Sequence, residues 1–270
     1  MTFCRSKTHL LKATNTFQGN NMDTKGDAPG KAPTGSDTGK TDSTAAGMNP
    51  YVGLVSSLRA AWLTGKTRAA EHRVSQLEAL GRFLDDKKQP ILDAMASDMR
   101  KPPFEVELSE IIMVKNEVNY ALNNLSSWMK DESVDKSLVT QLDTAFIRKE
   151  PYGVVLIIGP WNYPLQLILV PLVGAIAAGN CVIIKPSEIS SSTEKLVAET
   201  LPRYLDKDCF AVVTGGPAET TQLLENKFDY IFFTGMSQVT QPLPLSMVPS
   251  PSTPRGTVQP PYTRPLPSLS

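Results

Sequence analysis

Gly153–Glu188 reads GVVLIIGPWNYPLQLILVPLVGAIAAGNCVIIKPSE, and this stretch decides the fold. Val154–Ile158 is an apolar, β-branched run of strand length, broken at Gly159-Pro160. A polar-aromatic corner follows at Trp161-Asn162-Tyr163, and Pro164 opens an apolar run, Leu165–Ile176, that reads as a helix buried all round. The chain returns as a second apolar strand, Cys181–Ile184, which ends in Lys185-Pro186-Ser187-Glu188. This is a βαβ unit with an amide, a cation and a carboxylate just past its strand ends, where open parallel sheets bind ligands.

Downstream, the alternation continues. Ser190–Leu205 reads as a helix with Ser190–Ser192 as N-caps and Glu194 placed for a capping box. Ala211–Val213 is a strand ending at Gly215-Gly216, a helix runs from Pro217 to about Asn226, and Tyr230–Phe233 is a fourth strand closing at Thr234-Gly235. Upstream, Val74, Leu77, Leu80 and Leu84, then Ile91, Met95 and Met99, recur at helical spacing. Ile111, Val114, Val118, Ala121, Leu125 and Trp128 form one long amphipathic stripe. Phe146–Lys149 reads as a short strand leading into Pro151. The expected fold is α/β: an incomplete Rossmann-like parallel sheet of about four strands with right-handed crossovers, preceded by a helical segment, with disordered termini.

Composition marks the ends. Residues 1–47 are rich in Thr, Gly, Asp, Lys, Asn and Ser, too polar to offset their chain entropy, and are expected to be a disordered extension. Arg5, Lys7 and Lys12 stand there with no acid before residue 23, a faint presequence-like bias that an untargeted extension explains better. Met236–Ser270 holds nine of the 22 prolines and no acidic residue, which forbids helix and breaks any ladder. The expected organisation is therefore 1–47 extension, 48–150 helical segment with a connecting strand, 151–235 partial dinucleotide-binding domain, and 236–270 proline-rich tail.

Balanced charge, 27 basic against 27 acidic residues, points to no nucleic-acid partner. Cys4, Cys181 and Cys209 form no C-x-x-C pair, so neither a disulfide framework nor a metal site is expected. The uncharged span Pro151–Ile184 is too interrupted at residues 159–164 for a membrane helix and reads as buried strands and helix.

Two sets of residues carry candidate chemistry. Asn162, at the amino end of the apolar helix, could donate a buried carboxamide to an oxygen that gains charge, aided by the unpaired N–H groups of that helix; from pattern alone a turn-forming cap is the commoner reading. Lys185 and Glu188 suit a ribose diol, ammonium to one hydroxyl and carboxylate from another, though K-P-S-E is also an ordinary loop with a cap. Gly215-Gly216 and Thr234-Gly235 are turn glycines first and phosphate contacts second. No G-x-G-x-x-G occurs.

The segments Glu150–Leu167 (EPYGVVLIIGPWNYPLQL), Gly174–Glu188 (GAIAAGNCVIIKPSE), Glu199–Gly235 and Lys66–Leu84 (KTRAAEHRVSQLEALGRFL) resemble the class 3 aldehyde dehydrogenases, B-type branch, over Met48 to Gly235. The resemblance implies oxidation of aldehydes to carboxylic acids with NAD or NADP. It implies Asn162 as donor to the aldehyde oxygen and Lys185 and Glu188 on the adenosine ribose, with Trp161 and Gly235 completing the cofactor-binding set. It also implies a cytoplasmic enzyme, or one associated with membranes, although no lipidation motif stands at residue 270. The family further expects a Gly-bearing loop after F-T-G, a base glutamate in E-L-G-G and a nucleophilic cysteine in G-Q-x-C; none of the three occurs here. The chain thus reads as a truncated or spliced product, or a mispredicted gene, without turnover. The alternative is a non-catalytic dinucleotide-binding or interaction module whose P-x-x-P tail, Pro251–Pro254, meets SH3-type domains. Uncovered apolar faces predict aggregation, a homodimer, or pairing with an intact subunit.

Overall fold

β-branched and apolar residues fill Val154–Ile158 and Cys181–Ile184 without a polar break, and both strands are buried on both faces. The computed structural model describes residues 11–15, 49–134 and 145–235. Its elements are β1 (Leu11–Asn15), α1 (Val52–Leu63), α2 (Ala70–Asp86), α3 (Lys88–Met99), α4 (Pro103–Val106), α5 (Ile112–Trp128), β2 (Glu132–Ser133), β3 (Phe146–Pro151), β4 (Val154–Ile158), α6 (Gln166–Ala178), β5 (Cys181–Lys185), α7 (Ser191–Thr200), β6 (Phe210–Val212), α8 (Pro217–Leu224) and β7 (Tyr230–Phe233).

The main sheet is wholly parallel, in the order β6-β5-β4-β7. The chain steps outward from β4 to β5 to β6, then returns to lay β7 on the other side of β4. That reversal is the first half of a doubly wound dinucleotide-binding sheet, and it leaves a crevice beyond the carboxyl ends of β4 and β7. Right-handed crossovers put α6 and α7 on one face and α8 on the other. Helix α1 also lies on the strands β4 and β5, and Asn49 ties its start to α8 by donating to Glu225 Oε2 at 2.9 Å. The remaining N-terminal helices stack outside the first face, α5 on α6, α3 on α7 and α2 on α5. Their stripes supply Leu77, Leu80, Phe83, Leu84, Ile91, Met95, Val114, Val118 and Leu125 to one continuous core.

Three features differ from the sequence expectation. No element is expected within residues 1–47, yet Leu11–Asn15 pairs antiparallel with β3 in a small sheet ordered β1-β3-β2. Backbone pairing to an open strand needs no apolar pattern, so composition does not announce it. The rest of 1–47 and the whole tail 236–270 lie outside the described residues. The stripe that begins at Ile111 is entered through a π turn, Glu107–Ile111, which composition does not signal either. Finally, α7 ends at Thr200 in a 3₁₀ turn, Leu201–Arg203, where Pro202 interrupts the helical ladder.

The helical segment and the sheet are locked together at Gly179. Arg73 donates from Nε to Thr67 O at 3.0 Å, from Nη1 to Ala177 O at 2.9 Å and from Nη2 to Arg68 O at 2.9 Å. Burial pulls its guanidinium down to about 10. Gly179 ends α6 at φ +87°, and a Cβ there would lie 2.8 Å from both Arg73 Nη2 and the Thr67 carbonyl oxygen. Gly179→Ala is therefore expected to cost roughly 1–3 kcal/mol of unfolding free energy, from strain at a positive φ and displacement of the Arg73 fork. An unchanged denaturation midpoint would contradict this.

Candidate functional site

The carboxyl edge of the main sheet gathers the segments singled out by sequence. Gly159 N donates to Lys185 O at 3.1 Å, Thr234 N to Ile158 O at 3.2 Å and Val213 N to Ile184 O at 2.9 Å, so the ends of all four strands are tied edge to edge. Gly159 is needed for close approach, since a Cβ there would fall 2.2 Å from Ile168 Cγ2 of α6. The corner after it is held by Ser190 Oγ, which donates to Trp161 O at 2.8 Å.

Lys185 is 3 % exposed, and its ammonium donates to Glu188 Oε2 at 2.7 Å. The lysine is the last residue of β5, and Glu188, with a side chain 39 % exposed, lies in the loop that follows. Burial lifts the Glu188 carboxyl, but the Lys185 hydrogen bond and its own backbone N–H outweigh that and hold the group below the usual carboxylate range. A pKa depressed by folding contributes stability above the unfolded value, about 4.3 for Glu, that is lost as pH falls through the folded value. Acidification from about pH 6 to about pH 3 is therefore expected to lower the unfolding midpoint more in the native chain than in Glu188→Gln; equal slopes would contradict the pairing. Buried cation beside accessible carboxylate is the geometry a vicinal diol needs, one hydroxyl accepting and the other donating.

The Asn162 corner differs from expectation in two ways. Asn162 is exposed rather than buried, between Trp161 at 52 % exposure and a partly exposed Tyr163. The amino end of α6 is also not open to a ligand. Leu165 N and Gln166 N donate to Glu110 Oε2 at 3.2 and 2.9 Å, and this carboxylate is fully buried in the π turn. Lys101 closes the arrangement: its Nζ donates to Glu110 Oε1 at 2.7 Å and to Asn162 O at 2.9 Å, and lies 4.0 Å from the centre of the Tyr163 ring.

The same substitution of protein carboxylate for ligand recurs along the edge. The N–H groups of Ser192 and Thr193, at the start of α7, donate to Asp98 Oδ1 and Oδ2 at 2.9 and 2.8 Å. Burial of Asp98 raises its pKa, and these bonds with the Thr193 hydroxyl bring it below its usual range. The capping box expected from Ser190 and Glu194 is absent. Ser190 serves Trp161, and Glu194 Oε1 instead accepts from Gly215 N at 3.1 Å. Gly216 N donates to Glu219 Oε2 at 2.8 Å. The amides at the start of α6, at the start of α7 and at Gly215-Gly216 are thus taken by Glu110, Asp98, Glu194 and Glu219.

Glu110 and Asp98 carry no motif. Glu110 does leave one trace, a carboxylate four residues before Val114 on the buried stripe, where an unpaired charge is costly. Gly235 follows β7 beside the crevice. Cys181 and Cys209 stand at the amino ends of β5 and β6, across the sheet from Asn162. No described helix is long and apolar enough to cross a membrane.

The fold is a half-wound parallel sheet that carries a P-W-N corner and a Lys–Glu pair at its carboxyl edge. Residues 54–243 match the family model described as "Aldehyde dehydrogenase family", and the chain belongs to that family. The match runs past Gly235, where the resemblance read from sequence stops. Within the family the matching relatives are family 3 members, of both B and A types. Aldehyde dehydrogenase family 3 member B1 of Bos taurus is 62 % identical over 192 residues, covering 71 % of this chain and 41 % of its own. Family 3 member A2 of Macaca fascicularis is 49 % identical over 185 residues, covering 68 % and 38 %. In structure, the substrate-bound AldH of Staphylococcus aureus superposes with a TM-score of 0.71 at 36 % identity, over 73 % of this chain and 43 % of that one. The chain spans about two fifths of the length of the relatives it matches.

Proposed function

We propose that this chain is the adenosine-binding part of an NAD(P)-dependent aldehyde-oxidising enzyme, and that its 270 residues alone hold the cofactor weakly and turn over no aldehyde. The Lys185–Glu188 pair carries this reading: a nearly buried ammonium 2.7 Å from an accessible carboxylate at the carboxyl edge of a 3-2-1-4 type sheet. Weak retention is supported by the amides along that edge, which already serve carboxylates of the protein. A pyrophosphate gains little there without displacing them.

When bound, the nicotinamide dinucleotide supplies the hydride acceptor. The residues of this chain would do three things. Lys185 donates to a ribose hydroxyl while Glu188 accepts from its neighbour. Trp161 and Gly235 flank the crevice on either side of the switch point. Asn162, presented by a corner that Ser190 and Lys101 hold in place, offers its carboxamide to an aldehyde oxygen. Acyl transfer further requires a nucleophile and a base, and residues 1–270 contain neither a G-Q-x-C nor an E-L-G-G segment. The described cysteines lie at the opposite end of the strands and cannot meet an oxygen held by Asn162.

Purified chain incubated with a medium-chain aldehyde and NAD or NADP is expected to form no reduced cofactor above a protein-free control. Steady reduction proportional to protein concentration would overturn the inactivity, while leaving the adenosine site to its own binding test. A cytoplasmic location and pairing with a second copy or an intact subunit belong to the same proposal. An exposed apolar row, Phe104, Leu108 and Ile112, supports the pairing. The SH3-type contact concerns the tail, outside the described residues.

A further inference from the structure

Remote from the cofactor edge, the amino ends of β5 and β6 bring together a group of metal-ligating side chains. Cys209 stands immediately before β6 and Cys181 opens β5. The parallel pairing, with Val182 N donating to Cys209 O at 2.9 Å, sets their backbones side by side. Asp206 lies one tight turn earlier, closed by Cys209 N on Asp206 O at 3.0 Å, and its Oδ2 is 3.9 Å from Cys209 Sγ. The turn is pinned to α2 by Asp206 N, which donates to Gln76 Oε1 at 2.8 Å. From the first turn of α2, His72 completes the group: ligand atoms of His72, Asp206 and Cys209 all fall within 4.8 Å of one another. His72 Nε2 is shut off from solvent and has no hydrogen-bonding partner among the described residues.

A buried cysteine is ordinarily a small hydrophobe, and packing alone accounts for Cys181 and Cys209. It does not account for an enclosed, unpartnered imidazole nitrogen beside a carboxylate and a thiol, because buried polar atoms are nearly always satisfied. We propose that His72, Asp206 and Cys209, with a water as fourth ligand, form a tetrahedral site for Zn²⁺ that ties α2 to the sheet. Zinc bonds of about 2.0–2.3 Å put ligand atoms roughly 3.3–3.8 Å apart in a tetrahedron, so the present spacing needs only slight contraction. One thiolate, an imidazole and one carboxylate are a donor set suited to this borderline-soft ion rather than to calcium or magnesium. The Cys209 thiol proton leaves to solvent as the sulfur–metal bond forms. Lys66 now holds Asp206, with Nζ 2.5 Å from Oδ2. Its side chain is 43 % exposed and also reaches Asp208 Oδ2 at 3.4 Å, so it can release Asp206 to the ion without being stranded.

The test is titration of the reduced, metal-stripped full chain with Co²⁺, followed by displacement with Zn²⁺. The expected result is saturation at one equivalent, with the intense visible bands of tetrahedral cobalt and a thiolate charge-transfer band that Zn²⁺ abolishes. His72→Gln, at a partly exposed helical position, is expected to keep the native far-UV circular dichroism and bind roughly 10- to 100-fold more weakly. Cys209→Ser should remove the charge-transfer band; should that variant not fold, Asp206→Asn is expected to weaken binding similarly to His72→Gln. A pale octahedral cobalt spectrum, or native affinity in both His72→Gln and Asp206→Asn, would overturn the site.

Discussion

Glu110→Ala is expected to lower the unfolding free energy by about 3–5 kcal/mol, a large part of the roughly 5–15 kcal/mol that holds a domain of this size together. The side chain is fully buried and satisfies three donors at once: Leu165 N, Gln166 N and Lys101 Nζ. Its removal strands two amides at the start of α6 and leaves the Lys101 ammonium, only 11 % exposed, without its carboxylate. Glu110→Gln keeps an acceptor for the amides and loses the charge, so its cost should be smaller. If the ion pair is the main term, Lys101→Met combined with Glu110→Gln should cost less than the sum of the single changes, because no charge is then left alone. Urea unfolding of the four proteins measures this, and strict additivity would show that Lys101 and Glu110 act separately. Lys101 also holds the carbonyl of Asn162, so the Asn162–Tyr163 corner is expected to show faster amide exchange in the Glu110→Ala protein where it remains folded.

Lys185→Met should produce the second large effect, on binding rather than on the fold. Methionine fills nearly the same buried volume, and the carboxylate it abandons, Glu188, is exposed enough to be hydrated by water. Stability is therefore expected to change by less than about 1 kcal/mol. A charge-assisted hydrogen bond to a ribose hydroxyl is worth about 1.5–3 kcal/mol, so affinity for an adenosine nucleotide should fall roughly 10- to 100-fold. Glu188→Gln keeps an acceptor and should lose less. Isothermal titration with AMP, which carries the adenosine end alone, reads both variants directly.

How much of this was legible without coordinates depends on whether the information was local. The β4–α6–β5 unit was, because continuous apolar runs, a Gly-Pro break and a proline at a helix start are local and mutually consistent signals. The placement of Lys185 and Glu188 together at the end of β5 was readable too, but not their hydrogen bond to each other. What failed to show was every interaction that spans the chain. Glu110 reaches α6 across 55 residues and Asp98 reaches α7 across 94. Neither partner carries a motif, and the local alternative for α7, a Ser190–Glu194 capping box, looked sufficient. The consequence was functional: helix ends that appear free to bind anions in sequence are already occupied by the fold. The grouping of His72 with Asp206 and Cys209 escaped notice for the same reason, as the imidazole lies on a helix more than 100 residues upstream.

The measurement that bears most directly on the adenosine site is saturation-transfer difference NMR of NAD with the full chain. Strong transfer to the adenine and adenosine-ribose protons, little to the nicotinamide ring, and loss of both in Lys185→Met is the predicted result. Transfer centred on the nicotinamide ring, or adenosine signals of equal strength in the native chain and Lys185→Met, would contradict it.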